Sequence, residues 1–288
     1  MTEPGHRSAD EEAERGELRR QRAEVCDPRA RGRVHPLISQ AQGIVRERYR
    51  LADADSAFVL LQRASQRFDV KIRTLADFLV SLPGPDPREP LWFPRRLRQP
   101  EPDLRFEPAH QPDTRNRGGV LGAVLSQTLS VVGTGMGNVQ VSERAGRGLV
   151  LEKHTGLPPG FVEFFDHVGH AGTSCGPAAR QVTQVTVRDV ETDPVFTEPA
   201  RAAILAAGSR ACHSVPLTTA SGLCVGMVSA HLDRTFDGPT RAQLKALDVV
   251  GADGGRWLAW HAGTVVLDAL EHLHGVGRRM RGTRLRRQ

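Results

Sequence analysis

Between residues 37 and 81 apolar positions recur every three or four residues in three runs, the spacing that puts one apolar stripe on a helix. Leu37, Ile38, Ala41, Ile44 and Val45 form the first, Ala57, Phe58, Leu61, Ala64 and Phe68 the second, with Ser65 on the same side, and Ile72, Leu75, Ala76 and Leu79 the third. The pattern predicts helices over 37–50, 54–67 and 70–81, which together make a small bundle. The first carries an anomaly. Gly43 lies inside "ISQAQGIVRERYR", off the stripe, although glycine in a helix interior costs about 0.5–1 kcal/mol relative to alanine. Either a neighbouring helix crosses tightly there or a binding partner comes close.

From Gly118 the texture changes. "GVLGAVLSQTLSVV" predicts an apolar helix, "GNVQVSE" and "GLVLEKH" two alternating strands, and "PPGFVEFFDHV" a helix. "QVTQVTVRDV", "SRACHSVPLTT" and "SGLCVGMVSAHL" predict further strands, with "VFTEPARAAILAAG" a helix between them. "PTRAQLKALDVVGADGGRWLAWHAG" predicts a helix with Leu244, Leu247, Val250 and Leu258 facing in, weakened by Gly254 and Gly255. The expected fold class is therefore α+β: an N-terminal three-helix bundle, then an antiparallel sheet flanked by helices. A proline-rich stretch joins them, "PGPDPREPLWFPRRLRQPEPDLRFEPAHQPDTRNR", where missing backbone donors and fixed φ exclude regular structure. The expected divisions are a polar, partly helical segment over 1–34, the bundle over 35–82, the linker over 83–117, the sheet domain over 118–262, and a short helix with an arginine-rich tail over 263–288.

With 288 residues the chain can bury substantial cores without covalent staples. No run approaches the roughly 20 apolar residues of a membrane span, and the charged first residues have no apolar signal core, so a cytoplasmic protein without membrane contact is expected. Cys26, Cys175, Cys212 and Cys224 form no Cys-x-x-Cys pair, and neither a disulfide framework nor a zinc ribbon is indicated. No metal and no cofactor is expected. His213 beside Cys212, with Cys224 and His231, offers metal donors, but neighbours on a strand point to opposite faces. Phosphate loops, Gly-x-Ser-x-Gly elbows and His-Glu-x-x-His motifs are absent, and no catalytic residue is assigned. The net charge of +6 is carried mainly by arginine and concentrated in "GRRMRGTRLRRQ", with no acid after Glu271, which permits a polyanionic partner.

Residues 35 to 80, "HPLISQAQGIVRERYRLADADSAFVLLQRASQRFDVKIRTLADFLV", resemble the ANTAR domain, the RNA-binding module of bacterial transcription antiterminators. The family's "R-P-V-I-x-Q-A-K-G-x-L-M", "A-F-x-L-L-x-R-x-S-Q" and "N-x-K-L-R-x-V-A" helices stand here as "HPLISQAQGIVR", "AFVLLQRASQ" and "DVKIRTLA". The resemblance implies that Ala41, Gly43, Ala57, Arg63, Gln66, Lys71 and Arg73 face RNA hairpins, joined by Arg46, which adds a cation where the family has methionine. Gln42 replaces the family's lysine and Asp69 its asparagine, changes expected to weaken phosphate contact. The family also has a long coiled-coil helix running into the bundle, a route to a homodimer, which "CDPRARGR" interrupts in this chain.

Most of residues 137 to 262 are similar to the GAF domain, a small-ligand or redox sensor fold, through "GFVEFFDHVGHAGTSCGPAA", "VTVRDVETDPVF", "AAILAAGSRACHSVPLTTASG" and "VGMVSAHL". The resemblance implies a ligand pocket between the sheet and its covering helices, bordered by Phe164, Phe165, Asp189, Val190, Asp193, Phe196 and Ser214. "GTSCGPAA" is similar to a motif of GAF-fold methionine sulfoxide reductases, whose chemistry needs a second thiolate within disulfide reach. A hairpin turning at 220–222 would set Cys212 opposite Val228 and Cys224 opposite Pro216, which keeps the two thiols apart. Together the resemblances imply an RNA-binding antitermination regulator, not an enzyme, with its sensor placed after the RNA module, although the family generally places it before. The alternatives are a thiol redox sensor or sulfoxide reductase, and a protein-interaction scaffold.

Overall fold

The computed structural model describes residues 28–86, 88–107, 110–114, 116–145, 148–168 and 181–285. Residues 1–27 of the segment expected to be polar and partly helical, together with Cys26 and Cys175, lie outside them. The chain forms two compact units: residues 28–65, Lys71–Trp92 and the chain from Leu270 make the first, and Gln66–Val70 with Phe93–Ala269 the second.

The helical unit is built on α1 (Pro28–Tyr49), α2 (Ala54–Phe68) and α3 (Ile72–Ser81). α1 is described from Pro28 onward and runs through Pro36. The expected break at "CDPRARGR" is thus absent over residues 28–33. The packed side of α1 is Ile38, Ala41, Val45 and Tyr49, at the spacing the sequence predicts, and α3 lies against it. α2 buries Ala57, Leu60, Leu61 and Ala64. α3 buries five consecutive residues from Leu75 to Leu79, Asp77 among them, so it is enclosed on more than one side.

The second unit holds α4 (Arg117–Val132), β1 (Met136–Ser142), β2 (Leu149–Thr155), α5 (Pro159–Phe165), β3 (His167–Val168), β4 (Val185–Val187), α6 (Glu198–Ala206), β5 (Ala211–Thr218), β6 (Cys224–Leu232) and α7 (Arg241–His261). All strand pairs are antiparallel, in the order β3-β2-β1-β6-β5-β4. The two-residue β3 is a strand where helix was predicted. The β5–β6 hairpin is also offset from the predicted register: Cys212 faces His231 and Cys224 faces Thr218, because the loop spans residues 219–223 and a bulge follows Leu217.

Each sheet face has its own core. On one side α4 and α7 pack Leu121, Val124, Leu247, Val250 and Trp257 against Val139, Val215, Leu217, Val228 and Ala230. On the other, Leu149, Phe161, Phe165, Val187, Val190, Phe196, Ile204, Cys212 and Met227 cluster beneath α5 and α6. α7 starts at a reciprocal cap, in which the Gln243 N–H donates to the Thr240 hydroxyl and the Thr240 N–H to Gln243 Oε1. Its Gly251 and Gly255 lie directly on β5 and Gly254 against Val124 of α4, and a Cβ at Gly251 would come within 2.5 Å of the Pro216 carbonyl oxygen.

The proline-rich stretch is extended, as its composition requires, but it is not a free tether. Within the second unit Phe106 is buried, the Trp260 indole donates to the Gln99 carbonyl at 3.1 Å, and the Arg105 N–H donates to the fully buried Asp253 carboxylate at 2.7 Å. After α7 a π-helical segment (Ala262–Val266) leads to α8 (Leu267–Leu285), of which the part from Leu270 belongs to the helical unit. No helix among the described residues is long and apolar enough to cross a membrane.

Candidate nucleic-acid interface

Gly43 is exposed, and a Cβ built on it would meet nothing within 4 Å. Among the described residues no helix crosses there, so their packing does not explain the glycine. On the same side of α1, Arg46 one turn on and Arg50 one turn further are also exposed. Arg50 ends the helix with φ of 53°, turning the chain toward α2. Arg63 and Gln66 are exposed along α2, and Lys71 and Arg73 open α3, Lys71 exposed and Arg73 half-buried.

Two expected members of this surface are not on it. Ala41 and Ala57 are completely buried. They serve the bundle interior, where small side chains let helices approach, and Ala41 already belonged to the apolar stripe. The two departures from the family pattern have local reasons. Gln42 donates from its side-chain amide to the Ala54 carbonyl at 3.3 Å, tying α1 to the start of α2. Asp69 sits at φ of 51°, a left-handed position that aspartate and asparagine both tolerate.

The residues expected to border a sensor pocket are mostly occupied otherwise. Phe165, Val190 and Phe196 are core, whereas Phe164 is 43% exposed. Asp189 is bound by Arg210, whose hydrogen bonds hold its carboxyl below the usual carboxylate range. Asp193 accepts from the Val195 N–H at 2.9 Å. Ser214 shares a 2.8 Å hydrogen bond with Ser229. The chemistry the sequence pattern did not reveal is a buried polar row crossing three strands: Asn138 pairs with Ser229, which pairs with Ser214. Gln140 and His231 border the row, and Gln140 Oε1 is buried with no hydrogen-bond partner. An alternating pattern reads such positions as solvent-facing; only the layer of α5 and α6 buries them.

Three histidines of this unit are held neutral. His231 donates from Nε2 to Asn138 Oδ1 at 3.1 Å, so Nδ1 accepts from the Ser209 hydroxyl at 3.0 Å. Burial lowers His231 and His213 to about 4 and His261, stacked on Trp257, to about 3. Unfolded, each would take up a proton near pH ~6.5. The unfolded chain therefore binds more protons between about pH 6.5 and 4, and stability present above that window is lost as pH falls through it. A tenfold change in proton affinity is worth about 1.4 kcal/mol, so each histidine accounts for on the order of 3 kcal/mol when the loss is complete. Thermal melting across this window should show the decline beginning near pH ~6.5, above the carboxylate range; a flat profile down to about pH 5 would refute it. Cys212 is buried on the sheet, and the Cys224 thiol lies 3.1 Å from the Gly226 carbonyl oxygen.

Two bodies of different character result: a helical module with an open, arginine-bearing side, and an antiparallel α+β domain with a polar interior row. Residues 29–80 match the model of the ANTAR domain. Solved structures similar to the chain include the GAF domain of an Acinetobacter phosphoenolpyruvate-protein phosphotransferase, at 13% identity over 50% of this chain and 82% of that one, TM-score 0.42. The GAF domain/HD domain protein from Geobacter sulfurreducens is similar at 19% identity over 55% and 95%, TM-score 0.40. A free methionine-R-sulfoxide reductase from Neisseria meningitidis is similar at 16% over 55% and 96%, TM-score 0.36. No curated protein matches the chain.

Proposed function

We propose that the ANTAR unit binds RNA hairpins in the cytoplasm and that the protein regulates transcription by antitermination, with the sheet domain as its GAF-type sensor. The observation that carries this reading is Gly43, a glycine inside a helix with open space around it, beside exposed Arg46 and within the segment that matches the ANTAR model. Bulk is absent where a phosphodiester backbone can lie against the helix, and cations are present to meet its charge. Holding an antiterminator hairpin against its competing terminator lets polymerase continue. The buried row of Asn138, Ser229 and Ser214 supports a small-molecule signal at the sheet, since an interior hydrogen-bonding surface fixes the orientation of a bound ligand. Crosslinking and sequencing of RNA bound in cells tests the function: enrichment of stem-loops ahead of transcription units is expected, and a profile without them would reject it.

The cations give a quantitative check. A Lys71→Ala, Arg73→Ala double variant should bind an RNA stem-loop at least several-fold more weakly and lower the log–log salt slope by roughly 1.4, two phosphates at about 0.7 each. Thermal melting of the same preparation separates a lost phosphate contact from a weakened bundle. Unchanged affinity in fluorescence anisotropy would remove both residues from the interface.

A further inference from the structure

We propose that the C-terminal helix α8 is a fourth helix of the RNA-binding unit and that Arg278, Arg279 and Arg281 extend its contact with the RNA phosphate backbone. The inference rests on the RNA-binding reading above and adds to it a surface outside the matched ANTAR segment.

The docking of α8 is specific. The Tyr49 hydroxyl, at the end of α1, lies 2.9 Å from His274 Nδ1, and His274 Nε2 lies 3.0 Å from the Glu89 carbonyl oxygen. A carbonyl only accepts, so Nε2 carries the proton and Tyr49 donates to Nδ1. Burial raises the Tyr49 phenol to about 12 and lowers His274, which keeps both neutral and the bond in this sense. One turn on, Gly277 rests on the Tyr49 ring, where a Cβ would come within 2.7 Å of it. The Trp92 N–H donates to Glu271 Oε1 at 2.9 Å, and the Arg278 guanidinium to the Arg88 carbonyl at 3.2 Å. Leu270, Leu273, His274 and Gly277 form the buried stripe of the helix.

This docking fixes where the arginines emerge. Arg281 follows Gly277 by one turn, about 6 Å along the axis. Half-buried Arg278 and Arg281 therefore leave the helix beside the Tyr49 contact, at the end of α1 that bears Arg46 and Arg50, while exposed Arg279 lies on the outer side of α8, its guanidinium over Gly275. The chain beyond Glu271 holds six arginines and no acid, as many charges as the whole protein's net +6. A surface of this sign suits a polyanion, and guanidinium forks suit phosphate in particular.

The test compares full-length protein with an Arg278→Gln, Arg279→Gln, Arg281→Gln variant, titrated with a fluorescein-labelled RNA stem-loop of fixed sequence over a potassium chloride series. The variant is expected to melt slightly lower, since it gives up the Arg278 bond to the Arg88 carbonyl, but to keep α8 docked through Tyr49 and His274, to bind about tenfold more weakly at low salt, and to lose roughly 2 from the salt slope, three phosphates at about 0.7 each. A Gly277→Leu variant, which pushes α8 off Tyr49, is expected to lose affinity similarly. If the triple variant keeps native affinity and slope while the Lys71, Arg73 variant loses them, α8 is only packing and the proposal fails alone. If the native protein shows no salt-dependent RNA binding, the RNA reading falls with it. Triple-variant loss with Gly277→Leu binding intact would show an undocked tail and overturn the four-helix assignment, and equal effects on a DNA stem-loop would overturn the preference for RNA.

Discussion

Gly43→Leu folds, melts no lower than the native protein and binds RNA at least tenfold more weakly: this is the expected result at the glycine that interrupts the first apolar helix. Leucine is a far better helix former than glycine, worth up to about 0.8–1 kcal/mol at an interior position. The new side chain meets no neighbour, since nothing lies within 4 Å of a Cβ there. The fold therefore has nothing to lose. An RNA strand lying on this side of α1 does, because a leucine standing several ångströms off the helix keeps phosphates from Arg46; a tenfold loss corresponds to about 1.4 kcal/mol. Thermal melting and stem-loop binding on the same preparation decide the matter. Retained affinity would remove the physical reason for placing RNA at this turn.

The same substitution at Gly255 should do the opposite. Gly255 also lies inside a long helix, and leucine there gains the same intrinsic propensity. Yet a Cβ at Gly255 would overlap the backbone nitrogen, carbon and oxygen of Thr218 on β5, and Gly251 is as closely pressed on Pro216. Backbone atoms in a paired strand cannot step aside as a side-chain tip can. α7 must lift from the sheet, which opens the core around Trp257, Leu217 and Val124. Overpacking by extra methylenes costs typically about 1–3 kcal/mol and occasionally more. A whole leucine against an immovable strand should exceed that range and take most of the roughly 5–15 kcal/mol that holds a domain folded. Denaturant unfolding of Gly255→Ala and Gly255→Leu should show a graded loss, with the leucine variant unfolded or insoluble. A Gly255→Ala variant as stable as the native protein would mean that α7 does not press on the β5 backbone in solution.

Patterning foretold the helical unit well where one face was buried. The stripe from Ile38 to Val45 follows the period of the helix, and the interior of α1 comes out where the spacing puts it, whereas α3 buries Asp77 and Phe78 besides its predicted stripe. It was weaker where burial has more than one source. Tyr49 and His274 are far apart in sequence and neither is apolar enough to mark a core position, yet they bury each other. Asn138, Ser229 and His231 alternate with apolar residues and read as a wet sheet face until a second layer covers them. The hairpin register moved because a bulge after Leu217 leaves no trace in hydrophobic alternation.

The sequence by itself determined the class of each half and the kinship of residues 29–80, because helical and strand periods, turn residues and motif spacing are local properties of the chain. Only the tertiary structure decided what each small residue is for. Gly43 and Gly255 look alike in the sequence, glycines inside helices, and Ala41 and Ala57 stand both in an apolar stripe and in the set expected to face RNA. Two alanines proved to be interior, one glycine is pressed on a strand, and one stands in open space. The reason is that a side chain's absence has meaning only through what occupies the space it leaves. At Gly255 that occupant is a strand distant in the chain, whereas at Gly43 no described residue fills the space.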